Sequence, residues 1–475
     1  MADSAPTVPA ALTTDAPLAI HSKQTVDPWN VSGETGADGV VKAINYHTLI
    51  EEFGTKKILE EDLVRFEKVT GHRPHRFMRR GIVFSHRDLN YILDRYERGE
   101  PFFLYTGRGP SSDSMHIGHT VPFEFTKLMS HRWLQDVFDV PLIIMLTDDE
   151  KYLFSESREI EDVQKYTAAN VKDIIAIGFD PKKTFIFSDY EFMGGEFYKN
   201  VTRIQKKTTL NVAKAIFGFD GDFGAIQGAT AFASSFPHIF GSDKSISSKI
   251  PSLIPCAIDQ DPYFRMTRDV AHRLHFAKPA LIHARFLDAL QGPGSKMSAS
   301  IDTSAIFMYD EPNKIRTKIN KYAFSGGQVT EEEQRAKGGD TDKDVSYQYL
   351  TFFLEDDEEL ERIRVAYTTG KMLTGELKAK CIAELQVYVK GFQERRAAVT
   401  DELVEDFFSQ KKLVFRGNPH PIAAAKEEVP EGSSDGPKEL TKNQLKKLAK
   451  EKMIEEKRLA KLKEKEQKQA GDAIA

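Results

Sequence analysis

Two short runs carry residue types suited to phosphate chemistry. The first is Tyr105–His119, YTGRGPSSDSMHIGH, in which the turn-rich loop Gly107–Ser112 separates an apolar stretch from a helix-like one. Glycines let a backbone approach a ligand closely, and a helix N-terminus favours negative charge. Arg108 adds a fixed cation. His116 and His119, three apart at a helix start, share a face, so two imidazole donors can be aimed at one phosphate. The plainer alternative for the pair is a turn with satisfied histidines. The second run is Gly294–Ser300, GSKMSAS. Lys296 is a mobile cation there, with hydroxyls at Ser295, Ser298 and Ser300 beside it. Such a loop can close over a triphosphate; taken alone it also reads as a solvated linker.

Strands and helices must hold these runs in place. Phe102–Thr106 reads as a buried strand, His116 to about Phe138 as a helix and Pro141–Thr147 as a second strand, which makes one βαβ unit. Thr184–Ser188 and Pro279–His283 read as further strands, with a helix over Glu196–Ala215 between them. Apolar runs separated by helical segments predict an α/β fold: a Rossmann-type parallel sheet covered on both faces, with ligands bound beyond the carboxyl ends of its strands. The character changes after about Ile306. Glu311–Tyr322, Val345–Leu354, Glu358–Thr368 and Glu376–Phe408 all read as helices, which predicts a separate helical domain.

The boundaries expected are therefore a disordered leader over 1–40, a catalytic domain over 41–305 that opens with a basic segment, and a helical domain over 306–400. A helix end packing back follows over 401–417, then a Pro/Gly/Ser/Glu-rich linker over 418–437 and a lysine-rich helical tail over 438–475. The tail has 12 basic against 6 acidic side chains between Lys438 and Lys468. The chain as a whole carries a net charge of −5 over 475 residues, so any basic footprint for a nucleic acid is local. Two cysteines, Cys256 and Cys381, stand far apart, which argues against a zinc knuckle or a disulfide framework and suits a reducing compartment. No protein-built metal site is expected. No stretch has the length of a membrane span, and the N-terminus lacks the marks of a signal or transit peptide, so a cytoplasmic location is the expectation.

Taken together, the two runs resemble the paired signatures HIGH and KMSKS of class I aminoacyl-tRNA synthetases: His116–His119 reads HIGH and Lys296–Ser300 reads KMSAS. Further runs are similar to tryptophanyl-tRNA synthetases of eukaryotes and archaea. These are YTGRGP (Tyr105–Pro110), TDDEKY (Thr147–Tyr152), AIDQDPYFRMTRD (Ala257–Asp269), AFSGG (Ala323–Gly327) and TFFLED (Thr351–Asp356). The likeness covers roughly residues 27–416. The related tyrosyl enzymes usually carry a KMSSS-like loop and lack the DQDPYFR run. Other Rossmann-type nucleotidylyltransferases normally lack the helical block, and a non-enzymatic relative should have lost HIGH or the loop lysine.

The resemblance implies a tryptophan–tRNA ligase that activates L-tryptophan with ATP and transfers it to the 3′ end of its tRNA. ATP would meet Gly107, Arg108, His116, Gly118, Lys296 and Met297, with Gly118 leaving room for the adenine ring. Transition-state charge would fall on His116, His119, Lys296, Ser298, Ser300 and Arg108. Tryptophan would meet Tyr105, Glu150, Gln227 and Gln260, with Asp259 shaping the same wall. Mg²⁺ would bridge the phosphates through substrate oxygens and water. The helical domain would read the anticodon, the basic segment Arg76–Arg87 would form a hairpin over the ATP site, and a homodimer is implied. The tail resembles lysine-rich helices appended to other eukaryotic synthetases. Two departures stand out. Met145 occupies a position where the family commonly places a glutamine that can read the indole nitrogen. Leu128–Arg132 looks inserted in the helix after HIGH, where about five extra residues would turn the downstream face by about 140° net.

Overall fold

The computed structural model describes residues 23–27, 31–36, 41–126, 133–217, 223–294, 297–299 and 301–422. The Leu128–Arg132 insertion, Lys296, Ser300, the lysine-rich tail and all of the linker after Ile422 lie outside the described residues.

Thr25–Val26 (β1) pairs antiparallel with Val31–Ser32 (β2), and Thr35 bridges to Val41. Paired structure thus begins inside the stretch expected to be a leader. Val26 and Val31 pack on a small cluster around Ile44, Leu49 and Phe84, which gives these few residues apolar surface to bury. The main sheet is built from Lys56–Lys57 (β3), Val83–Arg87 (β4), Phe103–Arg108 (β5), Leu142–Leu146 (β6), Thr184–Ser188 (β7), Ser252–Ala257 (β8) and Ala280–Ala284 (β9). Its spatial order is β3-β4-β9-β8-β5-β6-β7. The five strands from β9 to β7 are parallel, while β4 and β3 continue the edge antiparallel. β5 pairs with its successor β6 on one side and with the much later β8 on the other. That reversal of strand order opens a crevice at the carboxyl end of β5, where the Gly107–Ser112 loop begins.

Side chains alternate along the strands between two apolar layers. Leu104, Leu142, Ile144 and Leu146 join the layer that holds Ile117 and Val121 of the helix Ile117–Thr126. Phe103, Tyr105, Ile143 and Met145 face the other layer, with Phe187, Phe264 and Met266. The helices Pro312–Tyr322, Val345–Phe353, Asp357–Thr368, Thr374–Ala397 and Asp401–Phe408 follow the sheet. Their apolar faces (Ile319, Tyr349, Leu377, Phe392) belong to the first layer, so the helical block and the sheet share one continuous core. The helices expected over 196–215 and 376–408 are each divided. The second break falls at Thr400, whose hydroxyl accepts from Leu403 N–H and caps a new helix.

The basic segment does not form a hairpin over the ATP site. Arg76–Arg79 is a short helix, and its guanidinium groups are spent on the helical block. Arg76 is buried; its Nη1 donates to Glu355 Oε2 at 2.7 Å and its Nε to the Phe352 carbonyl at 2.9 Å. Arg79 and Arg80 converge on Asp357, with Arg80 Nε 2.8 Å from Oδ1. A carboxylate facing several guanidiniums is charge-assisted hydrogen bonding that locks two elements together rather than a surface left for phosphate.

A second tie joins the helical block to the helix that carries HIGH. The Tyr388 hydroxyl lies 2.8 Å from both Thr120 Oγ1 and Glu124 Oε1. The hydroxyl thus bridges the two side chains, donating toward Glu124 Oε1 and Thr120 Oγ1. Burial pushes the Glu124 carboxyl up to about 7, against the pull of Arg76, the Tyr388 hydrogen bond and Arg395. The folded state therefore holds a proton that the unfolded chain releases near 4.5, and stability falls as pH rises from about 4.5 through 7. The expected outcome is that Glu124→Gln removes this slope. Thermal melts at pH 5 should match wild type closely, whereas at pH 8 the variant should be the more stable by up to about 3 kcal/mol.

Candidate active site

The carboxyl ends of β5 and β8, the start of the helix Ile117–Thr126 and the loop around Met297 enclose a cavity of about 420 Å³. It gathers eleven of the residues singled out in the sequence: Tyr105, Gly107, Arg108, His116, Gly118, His119, Glu150, Gln227, Asp259, Gln260 and Met297. Ser298 does not line it; its N–H donates to Ser304 Oγ at 3.1 Å, which folds the described end of the KMSAS loop back on the chain. Lys296 and Ser300 are outside the described residues.

One end of the cavity suits an anion. Arg108 is the last residue of β5, and its Nε donates to Asn170 Oδ1 at 3.2 Å. Its Nη2 is buried with no hydrogen-bond partner among the described residues. Burial pulls the guanidinium down to about 10, with Asp173 and Glu150 opposing, so it stays charged at neutral pH. A buried, unspent charged donor costs free energy unless a ligand fills it. His116 and His119 stack with ring centroids 3.4 Å apart. The His116 N–H points at His119 Nδ1 at 3.3 Å, so a neutral His119 carries its proton on Nε2 as a donor. Gly118 sits in a tight place: a Cβ there would stand 3.0 Å from Met297 Sδ and 3.2 Å from the His116 ring. The glycine thus leaves room for the Met297 side chain at the cavity wall. The loop start is also held from the N-terminal side. Gly33 N–H donates to the Gly294 carbonyl at 3.2 Å, and a Cβ on Gly294 (φ +80) would collide with the Lys42 carbonyl.

The other end is closed and aromatic. Tyr105 is 1% exposed, packs edge-on against Phe264, and has its phenol pushed well above the usual range by burial. Gln227 lies on the helix Phe223–Thr230, and Gln260 immediately precedes the helix Asp261–Leu274. Glu150 accepts from Thr147 Oγ1 at 2.7 Å and lies 3.3 Å from Lys151 Nζ. Lys151 and Thr147 were not singled out from the sequence, although both belong to the TDDEKY run. The signal that finds them is the tight turn at Gly109, where a Cβ would collide with the Lys151 side chain. Behind this helix Asp148, Asp149 and Asp189 bring carboxylate oxygens within 4.8 Å of one another. Burial raises all three, Asp149 to about 6, and for Asp149 and Asp189 the neighbouring carboxylates add to it. The trio does not line the cavity.

Comparison with known proteins agrees with this geometry. The family described as tRNA synthetases class I (W and Y) matches residues 97–389. A cytoplasmic tryptophan–tRNA ligase from Schizosaccharomyces pombe is 58% identical over 393 residues, covering 81% of this chain and 97% of the relative. The corresponding ligase from Saccharomyces cerevisiae is 56% identical over 400 residues, covering 83% and 90%. Among solved structures, a tryptophanyl-tRNA synthetase from Encephalitozoon cuniculi bound to tryptophan superposes with a TM-score of 0.70. It is 43% identical and is matched over 78% of this chain and 98% of its own. No described helix is long and apolar enough to cross a membrane. With a crevice at the carboxyl ends of a parallel sheet, both signature runs in its sequence and relatives this close over most of its length, the chain belongs to the class I aminoacyl-tRNA synthetases, within the eukaryotic cytoplasmic tryptophanyl-tRNA synthetase family.

Proposed function

We propose that this chain joins L-tryptophan to its tRNA in the cytoplasm, in two steps carried out in this one cavity. The observation that carries the reading is its two-ended character. A closed aromatic end with Tyr105, Gln227 and Gln260 opens onto an end where Arg108, His116 and His119 offer donors to an anion. In the first step a carboxylate oxygen of tryptophan attacks the α-phosphorus of ATP. The bond to the bridging oxygen breaks, and pyrophosphate leaves with its electron pair. The nucleophile is already ionised, so no protein base is needed, and catalysis is positioning plus charge stabilisation. His116, His119 and Arg108 meet charge on the phosphates. Lys296, Ser298 and Ser300 add to it when the loop closes, with Met297 seated against Gly118. Mg²⁺ enters as part of the substrate, on the ATP phosphates. Glu150 and Gln260 hold the amino-acid end. In the second step the 2′-hydroxyl of the terminal adenosine of tRNA attacks the carbonyl carbon, AMP leaves, and the hydroxyl proton goes to the departing phosphate or to water. The helices between Pro312 and Ala397 are the part suited to read the anticodon, and the working form is a homodimer.

The test is amino-acid-dependent ATP–pyrophosphate exchange on purified protein with tryptophan, tyrosine and phenylalanine. Exchange with tryptophan alone is expected. Exchange with none of them, from protein that melts cooperatively, would sink the reading.

A further inference from the structure

The run from Arg108 to His116 is held by a helix that contains none of the signature runs. Asn170 and Asp173 stand one turn apart on Ile160–Ala176, and both are buried. Asn170 spends its amide in three directions. Its Oδ1 accepts from Arg108 Nε at 3.2 Å, and its Nδ2 donates to the Ser112 carbonyl at 2.7 Å and to the Tyr166 carbonyl at 2.9 Å. The amide cannot be turned over, because the guanidinium only donates and the two carbonyls only accept. Asp173 continues the hold: its Oδ2 accepts from Met115 N–H at 3.2 Å and its Oδ1 from Arg396 Nε. Just ahead of the helix, Arg158 Nη2 donates to the Ser111 carbonyl at 3.1 Å. The end of β5, the glycine-rich loop and the residue before His116 are thus fastened to one helix.

The partner given to Arg108 is the informative contact. A carboxylate there would orient the guanidinium and also cancel its charge. A neutral amide orients it and leaves the charge for a ligand. With Nε taken, the plane of the guanidinium is fixed, and Nη2 stays in the cavity wall with no partner among the described residues. We propose that Asn170 is a positioning residue for amino-acid activation: it aims Arg108 at the ATP phosphates without neutralising it, and ties that aim to the loop through the Ser112 carbonyl. This rests on ATP being the phosphate donor in this cavity. A donor aligned before the substrate arrives needs no reorganisation as charge grows on the phosphate oxygens, and that is what Asn170 contributes.

The experiment follows tryptophan-dependent pyrophosphate exchange against ATP concentration for Asn170→Ala, Arg108→Ala and the double variant, each below its own melting transition. Asn170→Ala should lower kcat/KM for ATP by about 10- to 100-fold, the loss of one aligned donor, while the KM for tryptophan moves by less than about threefold. In the Arg108→Ala background the same substitution should cost less than about twofold, because the group it positions is gone. A merely structural role lowers both backgrounds alike. Asn170→Ser is the second variant, and its hydroxyl can still donate to the Tyr166 carbonyl four residues back. It should show the same two results even where the alanine variant folds poorly. A kcat/KM for ATP within about threefold of wild type, or an equal loss in both backgrounds, overturns the proposal. Failure of the wild-type chain to exchange with tryptophan at all would overturn the reading of the reaction itself, a distinct result.

Discussion

His119→Ala lowers the turnover number for tryptophan-dependent pyrophosphate exchange by about 10²- to 10³-fold while the KM for tryptophan moves by less than about threefold. The expectation follows from where His119 sits and what it can offer. Its ring lines the cavity beside His116, and its Nδ1 is occupied by the His116 N–H at 3.3 Å, which leaves Nε2 as the donor. A donor held in place by the protein matters most where negative charge grows, on the phosphate oxygens as the pyrophosphate bond breaks. It contributes little to binding an amino acid at the far, aromatic end. Loss of a group that acts only in the transition state appears in kcat. His119→Asn keeps an N–H near the same place and should recover part of the loss. A fall of less than about threefold in kcat for the alanine variant, or a fall explained by KM alone, would remove His119 from the transition state.

The sheet and the anion end of the cavity were legible in the sequence because each follows from local pattern. LIIML is an unbroken apolar run and TFIFS an apolar core between two hydroxyl residues, and both are fully buried strands. The glycine-rich turn after β5 and the histidines at the next helix start suit a phosphate by spacing, and it is their pairing with the KMSAS run that favours this over a turn with satisfied histidines. What the sequence hid is what depends on distant partners. β8, SLIPCA, carries a proline and a serine and does not read as a central strand, yet it lies between β9 and β5. Its proline survives there because its neighbours and the buried layers outweigh the lost donor. The charges of Arg76–Arg87 suggested phosphate because their carboxylate partners, Glu355 and Asp357, lie more than 270 residues away along the chain. Arg87 was hidden in the same way, and its partner has the larger consequence.

Asp261 is a buried carboxylate gripped by Arg87 at the start of the helix Asp261–Leu274, and Asp261→Asn should destabilise the folded chain by about 3–5 kcal/mol. The carboxylate is 0% exposed. Arg87 grips it with Nε on Oδ1 and Nη2 on Oδ2, each at 2.7 Å. His283 Nε2 lies 3.1 Å from Oδ1, and Ser85 Oγ lies 3.0 Å from His283 Nδ1. Serine, histidine and aspartate in this order are the members of a hydrolytic triad, but Ser85 and His283 are also 0% exposed, so no substrate reaches the hydroxyl. The array instead joins β4, β9 and the first turn of the helix Asp261–Leu274. Burial alone would raise the Asp261 carboxyl; Arg87 and then His283 more than offset it and hold it at about 2. A carboxyl lowered from 3.8 stabilises the fold above that value and loses the contribution only as pH falls toward 2, so the cost of the substitution should be flat between pH 5 and 8. That distinguishes it from the Glu124 variant, whose effect changes across the same window. Replacing one partner leaves Arg87 buried against a neutral amide, which is the expensive way to break an ion pair. Because Gln260 immediately precedes Asp261 at the start of the same helix, the loss should reach function as well, raising the KM for tryptophan in the fraction that remains folded. Urea unfolding at pH 7 reads the first effect, and a change below about 1 kcal/mol would mean that the pair is replaceable by neutral hydrogen bonding.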